Sequence, residues 1–134
     1  MTTNNFTQGR VLVVDDHPIN RLLMEAMLAK VGWGCLLADS AAQAMQILTS
    51  GESPIVIFMD IRMPDVDGYA ATRMIRQWEA QGDRPRLPIL ALTADALDES
   101  RAKALEEGMD GYLTKPVSLE RLSDALTKAT APRA

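Results

Sequence analysis

The sequence predicts an α/β protein whose single parallel sheet is covered by helices on both sides. Three observations predict it. Short apolar runs recur along the chain, at residues 11–14, 35–38, 55–59, 89–92 and 111–114. A helical pattern follows each run. Three of the runs, "VLVV", "IVIFM" and "ILAL", are apolar without alternation, as strands are when both faces of a sheet are buried.

The first strand, 11–14, runs into two adjacent aspartates, Asp15 and Asp16. Pro18 then suits a first helical turn, where its missing N–H costs nothing, and the pattern over 18–31 stops at Gly32. Residues 35–38 form a shorter, more polar second strand. A second helix over 40–50 starts at Asp39 or Ser40 and stops at Gly51. The third strand, 55–59, precedes a helix over 68–81 that stops at Gly82. The fourth, 89–92, precedes a helix over 95–107 that stops at Gly108. The fifth, 111–114, is again polar and leads to a helix over 118–129 beginning at Ser118. Glycine recurs after helices because it takes a left-handed C-terminal conformation without a Cβ clash. Five β-α units in succession, without a repeat or long linker, predict one doubly wound domain. Its two polar strands belong at the edges, which suits the flavodoxin-like (βα)5 order 2-1-3-4-5. The domain spans 10–130, with 1–9 a flexible lead-in and 131–134 a flexible tail or linker.

Composition narrows the function. The chain has 134 residues, 47% hydrophobic and 24% charged, as expected of a globular protein with a sizeable core. A net charge of -4 argues against direct nucleic-acid binding. No apolar run is long enough to span a membrane, and residues 1–10 contain no secretory h-region. The lone cysteine, Cys35, reads as a buried strand thiol in a reducing, cytoplasmic compartment. Met24, Met27, Met45 and Met74 read as core filler. Trp33 and Trp78 read as packing or surface residues.

In doubly wound sheets ligands bind outside the carboxyl ends of the strands. Asp15 and Asp16 end strand one. Asp60 ends strand three, about 5 Å to the side. Thr93 ends strand four and Lys115 follows strand five. Three carboxylates, a hydroxyl and an ammonium therefore share one rim. Carboxylates so close raise one another's pKa unless a cation is present. Lys115 supplies one charge, and an oxygen-only ligand set suits Mg²⁺. His17 is the only histidine, so no zinc cluster is expected. It reads as a solvated residue at the helix entrance, with a modulator of the metal site as the lesser alternative.

The combination "VDDHPINR", "MDIRMPDVDG", "ALTADA" and "GYLTKP" resembles the receiver (response-regulator) domain of two-component phosphorelay signalling, most of all receivers attached to hybrid sensor histidine kinases. The resemblance covers residues 11–129. It implies that Asp60 accepts a phosphoryl group from a phosphohistidine. It implies that Asp16 and Asp60 bind Mg²⁺ directly, with Asp15 assisting and the Arg62 backbone carbonyl as a further ligand. Lys115 and Thr93 would contact the phosphoryl oxygens, and Thr93 and Tyr112 would form the conformational switch. The Lys115–Pro116 bond would be cis. Met63, Pro64 and Gly68 would shape the loop after Asp60, and Asp67 would cap the third helix. Partners would be a histidine kinase dimerisation domain or a histidine-containing phosphotransfer domain. Beyond its own phosphorylation and dephosphorylation, no turnover of a separate substrate is expected.

Three rivals fit less well. A haloacid-dehalogenase-type phosphohydrolase wants D-x-D after strand one, where this chain has D-D and no cap insertion. A flavodoxin-like electron carrier needs a phosphate-binding loop where this chain is acidic. A phosphate-independent pseudo-receiver would not need Asp60, Thr93 and Lys115. In the first helix, Leu23, Met24, Met27 and Val31 form the side assigned to the sheet, and Arg21 and Glu25 a solvated side. Ile19, Leu22 and Ala26 form another apolar stripe. Either the fifth helix covers that stripe, or it receives an apolar helix of the phosphoryl donor.

Overall fold

A computed structural model of the chain describes residues 9–94 and 98–130. The expected lead-in (except Gly9), the expected tail and the first turn expected of the fourth helix lie outside the described residues. Five strands, β1 (Arg10–Val14), β2 (Gly34–Ala38), β3 (Val56–Asp60), β4 (Ile89–Thr93) and β5 (Gly111–Thr114), alternate with five helices. These are α1 (Pro18–Lys30), α2 (Ala41–Thr49), α3 (Gly68–Gln81), α4 (Asp98–Glu106) and α5 (Leu119–Thr130). The strands form one sheet in the order β2-β1-β3-β4-β5, all neighbours parallel. Both polar strands lie at the edges, as their composition requires.

The uninterrupted apolar runs divide between two cores. Leu12, Val14, Ile57, Met59, Ile89 and Ala91 face Ala44, Leu48, Ala71, Ile75 and Ala104, on the α2, α3 and α4 side. Val11, Val13, Val56, Phe58, Leu90 and Leu92 face Met24, Leu28, Leu122 and Leu126, on the α1 and α5 side. Side chains alternate across a pleated strand, so a strand between two helical layers must be apolar at every position. Val11–Val14 and Val56–Met59 are fully buried accordingly.

Helix starts follow local chemistry. Ser40 accepts from Gln43 N–H and Asp67 from Ala70 N–H, each satisfying an orphan donor of the first turn. Ser118 accepts from Arg121 N–H. Pro18 is the first residue of α1. Gly108, after α4, has φ 99°, as a left-handed stop requires. Gly82, after α3, does not: its φ is -102°, and Asp83 takes the left-handed conformation at φ 53°.

Other expectations need correction. Strands β1 and β2 each begin one residue earlier, and β3 runs over Val56–Asp60 with Ile55 left 39% exposed. Leu23 was assigned to the sheet but is 57% exposed, and Met74 is 38% exposed. Only Met24 and Leu28 of α1 are buried, because a helix at the sheet's flank seals its seam with a narrow i, i+4 stripe. Cys35 is half-buried rather than enclosed. Burial and then the Glu25 charge still push its thiol up to about 12, so it is an inert thiol at neutral pH. Trp33 is core, and Trp78 lies beneath the Arg84 guanidinium. Among the described residues, no helix is long and apolar enough to cross a membrane.

Candidate functional site

The carboxyl ends of β1 and β3 deliver the acids. Asp15 N–H still bonds to the Ala38 carbonyl at 3.0 Å, so Asp15 continues the β1 ladder and its side chain is fully buried. Asp60 is the last residue of β3, opposite Leu92 in β4, and is 4% exposed. Behind it the chain doubles back. Gly68 N–H bonds to the Ile61 carbonyl at 2.8 Å, and a Cβ on Gly68 would sit 2.3 Å from the Asp60 carbonyl oxygen. Only glycine allows α3 to start so close to the Asp60 backbone. Met63 is buried beneath this loop.

Lys115 comes from the far side. Its amide bonds to the Thr93 carbonyl at 2.7 Å, and the Lys115–Pro116 bond is cis. Its ammonium lies 3.3 Å from Asp60 Oδ1 and 3.5 Å from Asp15 Oδ2. One cation therefore bridges two buried carboxylates and cannot neutralise both. Burial, and next the Asp15 charge, raise the Asp60 pKa; Lys115 and a hydrogen bond from the Arg62 backbone offset this only in part. The site is short of positive charge.

Asp16 is half-buried beside this pair. Asp15, Asp16, His17 and Asp60 each offer a ligand atom, and all four atoms lie within 4.8 Å of one another. Three carboxylates at that spacing, with a deficit of positive charge, fit a hard divalent cation. Thr93 ends β4 at the same rim, opposite Thr114. Tyr112 lies apart from the cluster, opposite Ala91 in the register. It is half-buried, with the Arg101 guanidinium 4.7 Å over its ring.

Two residues beside the site go beyond the main sequence reading, Arg21 unassigned to it and His17 assigned only as the lesser alternative. Arg21 was placed on a solvated side but donates to the Asp15 carbonyl at 2.7 Å. The ring Nδ1 of His17 lies 3.1 Å from Asp16 Oδ1. His17 adjoins the acidic pair and Arg21 follows within the first turn and a half, and that proximity was the available signal. Beside the rim, Ile19, Leu22 and Leu23 are 71%, 61% and 57% exposed, and Ala26 is also exposed. Helix α5 therefore leaves the Ile19 stripe uncovered. Leu23 also lines an apolar groove of about 400 Å³ with Met24, Met27 and Val117, reaching Asp15 and Lys115.

Comparison with known proteins adds three relatives. The family described as "Response regulator receiver domain" matches residues 11–127. The sensor histidine kinase GacS of Pseudomonas protegens is 40% identical over 121 residues, 90% of this chain and 13% of the kinase. The chain spans 6–13% of the length of such curated relatives. The co-crystal structure of the Saccharomyces cerevisiae phosphotransfer protein Ypd1 with the Ssk1 receiver domain matches with a TM-score of 0.83 and 34% identity. That match covers 90% of this chain and 87% of the other. The receiver domain of the Pseudomonas aeruginosa sensor kinase PA1611, solved with magnesium in its active-site cleft, matches with a TM-score of 0.77 and 38% identity. It covers 90% of this chain and 95% of that one.

Proposed function

This chain belongs to the response regulator receiver domain family, and on that premise we propose that Asp60 is its phosphoacceptor, with a phosphohistidine as donor. The carrying observation is the Lys115 ammonium held between Asp60 and Asp15 at the end of the central strand. Nearly all that phosphoryl transfer asks of a protein is positioning and charge stabilisation. Asp60 Oδ attacks phosphorus, the P–N bond to the donor imidazole breaks, and an acyl phosphate forms. The donor imidazole leaves with the bonding pair and takes a proton. Lys115 is placed to meet the phosphoryl oxygens, and the Thr93 hydroxyl is assigned to donate to them.

Asp15, Asp16, Asp60 and the Arg62 carbonyl would hold Mg²⁺. When bound, the ion supplies the positive charge that Lys115 alone does not. The arrangement of oxygen donors and the raised Asp60 pKa support that reading. Thr93 and Tyr112 are assigned the switch, a shift between existing populations. Tyr112 is half-buried, packed against the core on one side and under the Arg101 guanidinium on the other.

The donor is a kinase dimerisation domain or a histidine-containing phosphotransfer domain, docking a helix on Ile19, Leu22, Leu23 and Ala26. Exposed apolar side chains in a contiguous patch mark interaction sites, and this one adjoins the acidic rim. With Mg²⁺ and acetyl phosphate, the protein should gain one alkali-labile phosphate, and Asp60→Asn none. Label on Asp60→Asn at the wild-type level would refute the assignment.

A further inference from the structure

The phosphoacceptor reading uses oxygen ligands only and leaves His17 without a task. Three features give it one. First, His17 is the N-cap residue of α1, yet its side chain makes no capping hydrogen bond. Second, Pro18 confines the residue before it to extended backbone, and His17 is there at φ -92° and ψ 118°. Its own N–H is held by Asp15 Oδ1 at 2.9 Å. The backbone at His17 is thus fixed beside the acids, within reach of its ring. Third, Nδ1 lies 3.1 Å from Asp16 Oδ1 and 3.7 Å from Asp15 Oδ1, inside the four-atom group that also includes Asp60.

We propose that His17 is a ligand of this site through Nδ1. The site is then a mixed carboxylate–imidazole centre that takes borderline transition ions such as Ni²⁺ or Zn²⁺ through one bond more than it offers Mg²⁺. The inference rests on the acidic site of the preceding section holding a divalent cation. Its chemistry is that of ligand softness. Mg²⁺ keeps to oxygen donors and water. Imidazole suits Zn²⁺ and Ni²⁺, and their affinity already exceeds that of earlier first-row ions for any N/O set. Carboxylates alone would produce that order too, so the signature is the share of transition-ion affinity that depends on His17. The consequence is a receiver whose phosphoryl site transition ions can occupy at the expense of Mg²⁺.

His17 is the only histidine of the chain, which makes the test direct in untagged protein. Wild type, His17→Ala and His17→Gln are titrated with Mg²⁺, Zn²⁺ and Ni²⁺ by calorimetry. Loss of the imidazole should weaken Zn²⁺ and Ni²⁺ by on the order of tenfold or more, as weakening a ligand sphere does, and leave Mg²⁺ within about twofold. With Co²⁺ bound, wild type should show one hyperfine-shifted exchangeable proton, the His17 Nε2–H, absent from both variants. The ring is two-thirds exposed, at 66%, so neither variant should lose its fold. Equal Zn²⁺ and Ni²⁺ affinities in wild type and variants, or no shifted proton, would overturn the inference while Mg²⁺ binding leaves the acidic site standing. Failure of Mg²⁺ to bind any of the three proteins would overturn both readings.

Discussion

Replacing Leu22 by glutamate separates docking from chemistry. Leu22 is 61% exposed on α1. Fully burying a leucine is worth about 1.5–3 kcal/mol, so about three-fifths of that, about 1–2 kcal/mol, is available to a donor helix that covers it. At about 1.4 kcal/mol per tenfold, losing it weakens docking about 5- to 30-fold. Glutamate adds the cost of pressing a carboxylate into an apolar contact. The rate of phosphoryl transfer from a histidine phosphotransfer protein, measured below saturation, should therefore fall at least about tenfold. Labelling by acetyl phosphate, which needs no helix contact, should be unchanged. Because the side chain already faces water, stability should move by no more than about 0.5 kcal/mol, a Tm shift of about 2–3 °C. Leu28→Ala on the same helix is the calibration: Leu28 is fully buried and its truncation should cost about 2–5 kcal/mol. Normal transfer by Leu22→Glu, or a melting loss comparable to Leu28→Ala, would refute the argument.

Asp16→Ala should weaken Mg²⁺ binding more than Asp15→Ala in calorimetry, since Asp15 already shares Lys115 and Asp16 does not; the reverse order would assign the direct ligand to Asp15. In metal-free buffer the raised Asp60 pKa makes its charge a burden on the fold. A carboxyl whose pKa is higher folded than unfolded stabilises most below the unfolded value, and that contribution is lost as pH rises through the folded value. Asp60→Asn should therefore melt above wild type at neutral pH, with the gap closing as pH falls below the ordinary aspartate range of about 4; a gap that widens on acidification would contradict the sign. Arg76→Met should destabilise by about 2–3 kcal/mol, less than the about 3–5 kcal/mol of a fully buried pair because Asp110 is 25% exposed. Urea denaturation would read it, and acetyl-phosphate labelling of the folded protein should not change.

The strands were legible because burial on both faces leaves one signature, an unbroken apolar run, and β1, β3 and β4 carry it. The acidic rim was legible because topology alone puts Asp15 and Asp60 on adjacent strand ends. Apolar patterning on α1 was not enough to sort its faces. The helix carries more apolar residues than its seam with the sheet uses, and which ones are spare depends on where α5 stops. Gly82 ends α3 where expected, after Gln81, but without the left-handed conformation: Asp83 takes it, and aspartate tolerates that region better than most side chains. Arg21 was misplaced because the turn at Asp16 brings its guanidinium back to the Asp15 carbonyl at the strand end, which periodicity does not encode. The ionic ties of Arg76 were invisible because Asp110 and Gly108 lie over thirty residues away in sequence.

Those ties show how the fold keeps stability apart from chemistry. At the amino end of β4, the Arg76 guanidinium donates to the Gly108 carbonyl at 2.9 Å, the Leu87 carbonyl at 2.8 Å, Glu79 at 2.8 Å and Asp110 at 2.8 Å. Glu79 in turn accepts from Leu87 N–H, and Asp110 from Ile89 N–H. Each carboxylate there meets both a cation and a backbone donor, so its charge is answered within the fold and holds α3, β4 and β5 in register. At the carboxyl end the ledger is reversed: Asp15 and Asp60 share one ammonium, and Asp16 stands beside them without it. A surplus of buried negative charge destabilises a domain unless something outside it supplies the balance. The network at one end makes that surplus tolerable at the other, and the surplus gives a bound cation its hold on the site. A substitution that neutralises Asp60 should thus strengthen the fold and abolish the chemistry, whereas one that breaks Arg76 should weaken the fold and spare it.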